Sequence, residues 1–426
     1  MFAVVALLAG VGACGPDKNK KDDDDNGGKD AGVMDASTQD GATEDAESDA
    51  VAFQAFHNDC TITTGPAGSA EETTKNLERA FVESGEGDVI CLVDGKYDVK
   101  RELALTENGI TLRGESQKGT VLDFDAQKEG ANGIVVNAAK NFAAINFTIK
   151  NTASDSLKTK GTDGVVMKNI TVTWDRGKSV KNGAYALYPV ESKNVLIEGC
   201  EVSYARDAGV YLGQSDTAII RDNEAYGNVI GIEIENTYRA EAYNNHAHGN
   251  TDGFLVINLP DLQVKGGGEN LVYDNKIEDN NIDNFGKQGT AVAKMPPGSG
   301  MIVLASNNNE IRDNTIKNNK SLGMAVVSYH LIDAGGSDDM KYDPYPEGNW
   351  LHDNTLENNG NDPTGAAQIA SRMDGTAPQV TWDGRFDTNK DNSDGSKTNC
   401  FENNKTPGSM NLVVERISPN DECPSM

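Results

Sequence analysis

Basic residues are scarce in this chain: 38 Lys and Arg stand against 66 Asp and Glu, a formal net charge of −28. A surface of that sign lacks the footprint that nucleic acid or an anionic lipid surface requires, so both are excluded as partners. Aromatics are also sparse, at 6%. No Cys/His spacing suits zinc, and no Cys-x-x-Cys-His attaches a haem. Long apolar runs are missing too, the segment 2–13, FAVVALLAGVGA, being too short for a stable membrane span. Glycine, by contrast, occurs 45 times and Asn is plentiful. That balance suits many short strands and turns rather than helices. A chain of 426 residues allows two or three ordinary domains or one repeat array.

The apolar segment ends in Val11-Gly12-Ala13-Cys14, which resembles a bacterial lipoprotein box. The resemblance implies a signal peptide over 1–14, lipidation of Cys14 and anchoring to the cell envelope. Gly15 rather than Asp after the Cys implies the outer membrane. Residues 15–50 carry almost nothing apolar and cannot bury enough surface to fold. They read as a disordered acidic tether, with the folded domain at 51–426. Residues 1–50 hold 12 acidic and 4 basic residues, so −8 of the charge lies there and −20 in the rest. Export permits disulfides. Cys60 and Cys91 flank the start of the domain, and Cys400 and Cys423 its end, where staples would restrain frayed edges. The expected pairs are Cys60–Cys91 and Cys400–Cys423, with Cys200 free and buried.

The domain repeats with a period of 22 residues. Val210-Tyr211-Leu212, Ile232-Glu233-Ile234 and Phe254-Leu255-Val256 each follow a glycine: Gly209, Gly231 and Gly253. A turn-like Asn comes 13 residues after the first position, as Asn223 and Asn245, and the slot recurs as Asn275, Asn314 and Asn354. Asn146 and Asn169 read as earlier occupants, with Cys200 taking the slot once. A second Asn follows five residues on: Asn151, Asn228, Asn250, Asn280, Asn319 and Asn359. A period near 22 with three short apolar strands predicts an all-β coil, a parallel β-helix of about ten to eleven rungs from ~85 to ~410. The recurring Asn should stack as internal amide ladders. Thr73–Ser84 predicts a short amphipathic helix, with Thr as its cap, over the open N-terminal end.

Four stretches, Asn182–Val190, Asp207–Ser215, GIEIENT at 231–237 and MPPGSGMIVLAS at 295–306, together resemble a bacterial family of exported right-handed parallel β-helix proteins of unassigned function. Its genes commonly lie beside one for a periplasmic diheme c-type cytochrome, so the resemblance implies that cytochrome as a partner. It covers roughly 60–335 and leaves a C-terminal extension from about 361. The fold it implies is pectin-lyase-like, a class that includes polysaccharide lyases, hydrolases and epimerases, though fold alone carries no activity. The epimerase-like Asp-Pro-His is absent; the nearest string is Asp343-Pro344-Tyr345.

If Val210, Leu212, Ile232, Ile234, Phe254 and Val256 point into the coil, the residues between them point out. One outward column is then Tyr188, Tyr211, Glu233, Leu255, Ile302. Its neighbour is Val190, Gly213, Glu235, Ile257, Leu304, with Gly213 leaving a gap before Glu235. Aromatic faces beside carboxylates suit sugar rings. Glu233 and Glu235 are the candidate catalytic pair, exposed on a groove floor, with Tyr185, Tyr188, Asp207 and Tyr211 binding carbohydrate. The bare apolar stripe Leu255, Ile257, Ile302, Leu304 needs a cover, supplied either by the inserts 258–270, 281–300 and 328–348 or by a protein partner. His246 and His248 give a weak metal signal, and His330 and Arg206 are further candidate bases. Asp387, Asn389, Asp391 and Asp394 alternate as in a calcium loop, without its sixth-position Gly or twelfth-position Glu. The expectation is therefore a lipid-anchored monomer that binds and processes a carbohydrate, or else a scaffold for an exported cytochrome.

Overall fold

The computed structural model describes residues 59–332, 337–371, 375–390, 392, 398–405 and 415–416. The lipoprotein box with Cys14, the 15–50 tether, Asp391, Asp394 and Cys423 lie outside the described residues.

Short parallel strands stack rung on rung. Eleven of them form one sheet, running from Arg101–Leu105 through Leu187–Val190, Ala208–Gly213, Ile230–Glu235, Asp252–Ile257, Ser299–Leu304 and Leu322–Val327 to Val380–Trp382 and Glu415–Arg416. Twenty more form ladders on the remaining faces, such as Lys193–Glu198 on Asp216–Arg221 on Tyr238–Tyr243. Eleven rungs agree with the count expected from the period. The ladder does not stop where the resemblance stops: Val380–Trp382 pairs with Leu322–Val327, and Cys400–Glu402 with Trp350–His352. Among the described residues past 361, Val380–Trp382, Cys400–Glu402 and Glu415–Arg416 thus add to the coil. The core is the coil interior, filled by Val210, Leu212, Ile232, Ile234, Phe254 and Val256 and their rung neighbours, all essentially inaccessible.

Glycine is the second residue of Ala208–Gly213, Ile230–Glu235, Asp252–Ile257, Ser299–Leu304 and Leu322–Val327 because that position has no room for a side chain. A Cβ on Gly231 would lie 2.5 Å from the carbonyl oxygen of Gly253 in the next rung and 2.8 Å from the Asn250 amide.

The Asn ladders form as expected. Asn245 Oδ1 accepts from both Asn223 Nδ2 and the Asn223 backbone N–H, at 2.9 and 3.1 Å. Asn275, Asn314, Asn354 and Asn404 continue the series. The second ladder runs Asn228, Asn250, Asn280, Asn319, Asn359. A third, Asn270, Asn309, Asn349, Asn399, was not foreseen. Asn146, Asn169 and Asn151 do not belong to these slots. Asn146 and Asn169 face each other one position earlier, at the left-handed corner shared with Gly199, Asp222 and Asn244 (φ 59, 53, 63, 58 and 54°). Asn151 is left-handed as well, at φ 59°. Asn serves both positions, since its short amide tolerates left-handed backbone and also stacks. Type alone therefore could not separate them. Phe147, Ile170 and Cys200 occupy the inward slot below, and the ladder ends where the Cys200 N–H donates to Asn223 Oδ1.

The N-terminal end is closed by helix α1 (Ala70–Glu83), whose Leu77, Ala80 and Phe81 enter the core. Its cap is Ser69, with Oγ accepting from the Glu72 N–H at 3.2 Å, so the helix starts earlier than the Thr-capped reading placed it. A disulfide joins Cys60 to Cys91, and Cys200 is free and buried. Cys400 is disulfide-bonded, its partner lying outside the described residues.

Candidate active site

The strand register sets the outward columns as the repeat placed them. Tyr188 neighbours Lys158; Tyr211, Glu233, Leu255, Ile302, Ala325 and Thr381 follow rung by rung. Beside them run Val190, Gly213, Glu235, Ile257, Leu304 and Val327.

Their exposure differs from expectation. Tyr211, Glu233 and Glu235 are only 4%, 5% and 7% exposed. The cause is the inserts. Leu259, Val292, Met295, Tyr329, Leu331 and Tyr342 pack with Leu255, Ile257, Ile302 and Leu304 into one outer apolar cluster. The Tyr342 hydroxyl donates to the Asn258 carbonyl at 2.7 Å and ties the 328–348 insert to the floor. Ala367, from a short 3-10 turn at Gly365–Ala370, adds a wall that the sequence did not indicate. The chain thus covers part of its own stripe and leaves a partly open chamber of about 460 Å³ beside it.

Tyr185, Asp207, Glu233 and Glu235 line this chamber together. Tyr188 and Tyr211 stand behind Tyr185, with ring centroids 4.5 and 4.8 Å from it. Lys158 lies over the Tyr188 ring at 4.6 Å and pairs with Asp155 at 3.1 Å. Gly213 leaves no open gap: a Cβ there would lie 2.2 Å from the Tyr211 ring, which folds across it. The Tyr211 hydroxyl bonds to the Glu235 carboxyl.

Burial dominates the acid–base character. It pushes Glu235 up to about 7, against the Tyr211 bond that pulls it down. Asp207 also rises to about 7, raised by burial and by Glu235 and restrained by Arg206 and Tyr185. Glu233 is raised well above the usual carboxylate range by burial, then by Glu235 and Asp207. Three clustered carboxyls cannot all ionise in a medium that solvates charge poorly. Near neutral pH the cluster holds protons, and so offers both donors and acceptors. Lys294 is the one cation among the described lining residues.

Sequence reasoning also missed two residues, of which Thr381 lines the chamber and Asp252 does not. Thr381 continues the Tyr188–Glu233 column, but 325 to 381 is too long a step for a 22-residue period to bridge. Asp252 is fully buried just before Gly253. Among the described residues neither of its oxygens has a well-formed hydrogen bond, and burial lifts it to about 7 against the pull of Ser299 in the next rung.

Other candidates fall elsewhere. His330 packs against Tyr345 at 5.3 Å and does not line the chamber, although Tyr329 and Leu331 do. Arg206 is held away by its bond to the Asn182 carbonyl at 2.8 Å. His246 and His248 stack on the outside of another face, each Nε2 paired at 3.0 Å, with Glu278 and Glu224 respectively. Asp387 Oδ1 accepts from the Asn389 backbone and side chain, while the Lys390 ammonium reaches Asp343 at 2.6 Å and Glu347 at 3.2 Å.

Comparison with known proteins agrees with this architecture. Residues 132–266 match the family model described as right handed beta helix region. No curated protein matches the chain by sequence. Among solved structures, the A-module of the Azotobacter vinelandii mannuronan C-5 epimerase AlgE4 superposes with a TM-score of 0.53 at 16% identity, covering 83% of this chain and 93% of its own. The A-module of AlgE6 from the same organism gives 0.51 at 17% identity, with 84% and 97% covered. At such identities the likeness concerns the fold: this chain folds as a right-handed parallel β-helix.

Proposed function

We propose that this chain, tethered to the cell envelope through Cys14, binds and hydrolyses a neutral carbohydrate at the acid end of the chamber. The observation that carries the reading is the joining of Tyr185, backed by Tyr188 and Tyr211, to Asp207, Glu233 and Glu235 in one chamber. Aromatic faces accept the CH faces of a sugar, and carboxyls take its hydroxyls. The fold neighbours act on mannuronan, which makes a polysaccharide a reasonable class of ligand. An acidic polymer is disfavoured, because four carboxyls, Asp207, Glu233, Glu235 and Asp261, line the chamber and Lys294 is the one cation among the described lining residues.

Alternate residues on a strand lie about 6.5–7 Å apart along the backbone, which gives the two side chains room for the separate roles of inverting glycoside hydrolysis. Burial and mutual repulsion keep one carboxyl of the pair protonated, and Glu233 is assigned as this acid, which protonates the leaving oxygen. Glu235, near 7, serves as the base that takes a proton from water as the C–O bond breaks and a new one forms. The stripe that would have recommended a protein partner is packed in part under the chain's own inserts, so geometry favours the carbohydrate reading over a cytochrome scaffold. The test is hydrolysis of neutral aryl glycosides by the full chain and by Glu233→Gln and Glu235→Gln. Each variant should lose at least about a hundredfold in kcat. Neutral-glycan binding and turnover that survive both substitutions would sink the assignment.

A further inference from the structure

The acid cluster occupies only one end of the chamber. From Glu233 the floor runs through Leu255, Ile302 and Ala325 to Thr381, four rung steps and so about 19 Å. Along this length the lining is overwhelmingly aliphatic: Ile257, Leu304 and Val327 in the neighbouring column, Met295 and Leu331 on the walls. A sugar alone has no use for such a surface, since its hydroxyls would lose water without gaining partners. A chamber that existed only to complete the fold would be closed by side chains, as protein interiors pack densely. Here about 460 Å³ stays open, within the range of small-molecule sites. Thr381 gives an independent sign at the far end. It is 4% exposed, it lines the chamber, and its hydroxyl has no partner among the described residues. The space beyond Ala325 is therefore left for an occupant rather than sealed.

Resting on the carbohydrate reading above, we propose that the substrate is an amphiphile: a neutral glycoside whose sugar sits against Tyr185, Asp207, Glu233 and Glu235 and whose aliphatic aglycone lies along the Leu255–Ile302–Ala325 floor toward Thr381. Charge supports the neutral head, as an anionic lipid head would meet three carboxyls. Apolar burial supplies the affinity, and the acid cluster supplies orientation. The scissile bond then lies where the apolar floor meets Glu233 and Glu235.

The test uses the full chain carrying Cys14→Ala, which keeps lipid and detergent out of the measurement. Binding of methyl, octyl and dodecyl β-glucoside and β-maltoside is measured by calorimetry below their micelle concentrations, with octanol as the sugar-free control. Octyl glycoside should bind at least about a hundredfold tighter than methyl, because each buried methylene contributes to transfer from water. Ala325→Phe, which fills the tail end, should bring octyl affinity down to the methyl value and leave methyl binding unchanged. If that variant does not fold, Ala325→Leu makes the same comparison with a smaller expected loss. Equal affinity for methyl and octyl glycosides, insensitive to either variant, overturns the tail site and leaves the sugar reading standing. Octanol binding as tightly as octyl glycoside, with no effect of Glu233→Gln or Glu235→Gln, overturns the sugar reading instead. No binding of any glycoside overturns both.

Discussion

At the scale of single residues, the site depends on what a neighbour does to a carboxyl. The Tyr211 hydroxyl bond holds Glu235 below the value that burial alone would give it. Tyr211→Phe removes that bond and keeps the ring, so the Glu235 pKa should rise further, and the basic role should move to higher pH. Carboxyl-selective carbon NMR titration would show it; an unchanged or lowered value contradicts the bond. Gly213→Ala should act in the same direction by pushing the Tyr211 ring aside, since its Cβ would sit 2.2 Å from that ring. The identity of these residues was legible in the sequence, because strand alternation places Tyr211, Glu233 and Glu235 on one face. Their burial was not. It depends on Tyr329, Tyr342 and Ala367, which arrive from inserts without a period, and only three-dimensional packing sets where those land.

At the scale of elements, the amide ladders are where sequence and structure agree best. Each inner Asn bonds the rung on either side, so removing one leaves buried groups orphaned on both. In Asn275→Ala, the Nδ2 and N–H of Asn245 lose their shared acceptor, and the Ala242 carbonyl loses its donor. An unsatisfied buried polar group costs about 1–3 kcal/mol. The loss should therefore be at least about 2 kcal/mol, read as faster amide exchange in the flanking rungs and a lower Tm. Asn244→Gly, at the left-handed corner with φ 54°, should be near neutral or stabilising. That contrast separates the two jobs of Asn that the sequence left merged at Asn146, Asn151 and Asn169. Gly231→Ala should cost more than an ordinary strand substitution, because the contact of its Cβ is a backbone oxygen that cannot turn away. The repeat revealed where the glycine recurs, and only the close approach of the next rung's backbone explains why.

At the scale of the whole molecule, two populations of carboxylate pull stability in opposite directions with pH. Glu278, held at about 2 mainly by Lys276, Lys317 and His246 against burial, stands for the paired group, and Asp123, Asp175 and Glu198 are lowered likewise. Their folded pKa lies below the unfolded one, so their contribution is present above about pH 4 and fades as pH falls. Asp207, Glu233, Glu235 and Asp252 do the reverse. The unfolded chain releases these protons near pH 4 while the folded chain keeps them to about 7 or above. Stability is thus full below pH 4 for this group and drains away as pH climbs through that window. The two trends cross near pH 5, where Tm should be highest, with a decline toward pH 8. Net charge of −28 adds repulsion on the alkaline side, but salt screens exposed charge and leaves the buried group untouched. Asp252→Asn isolates the buried contribution, because it keeps the shape and removes the ionisation of a residue outside the proposed chemistry. A shift from 3.8 to about 7 corresponds to at most about 4 kcal/mol. The variant should match the parent near pH 4, exceed it at pH 8 by several degrees in Tm, and keep that gain in high salt. An advantage of the same size at both pH values would mean that Asp252 acts through packing, and the acid-shifted optimum would then need another cause.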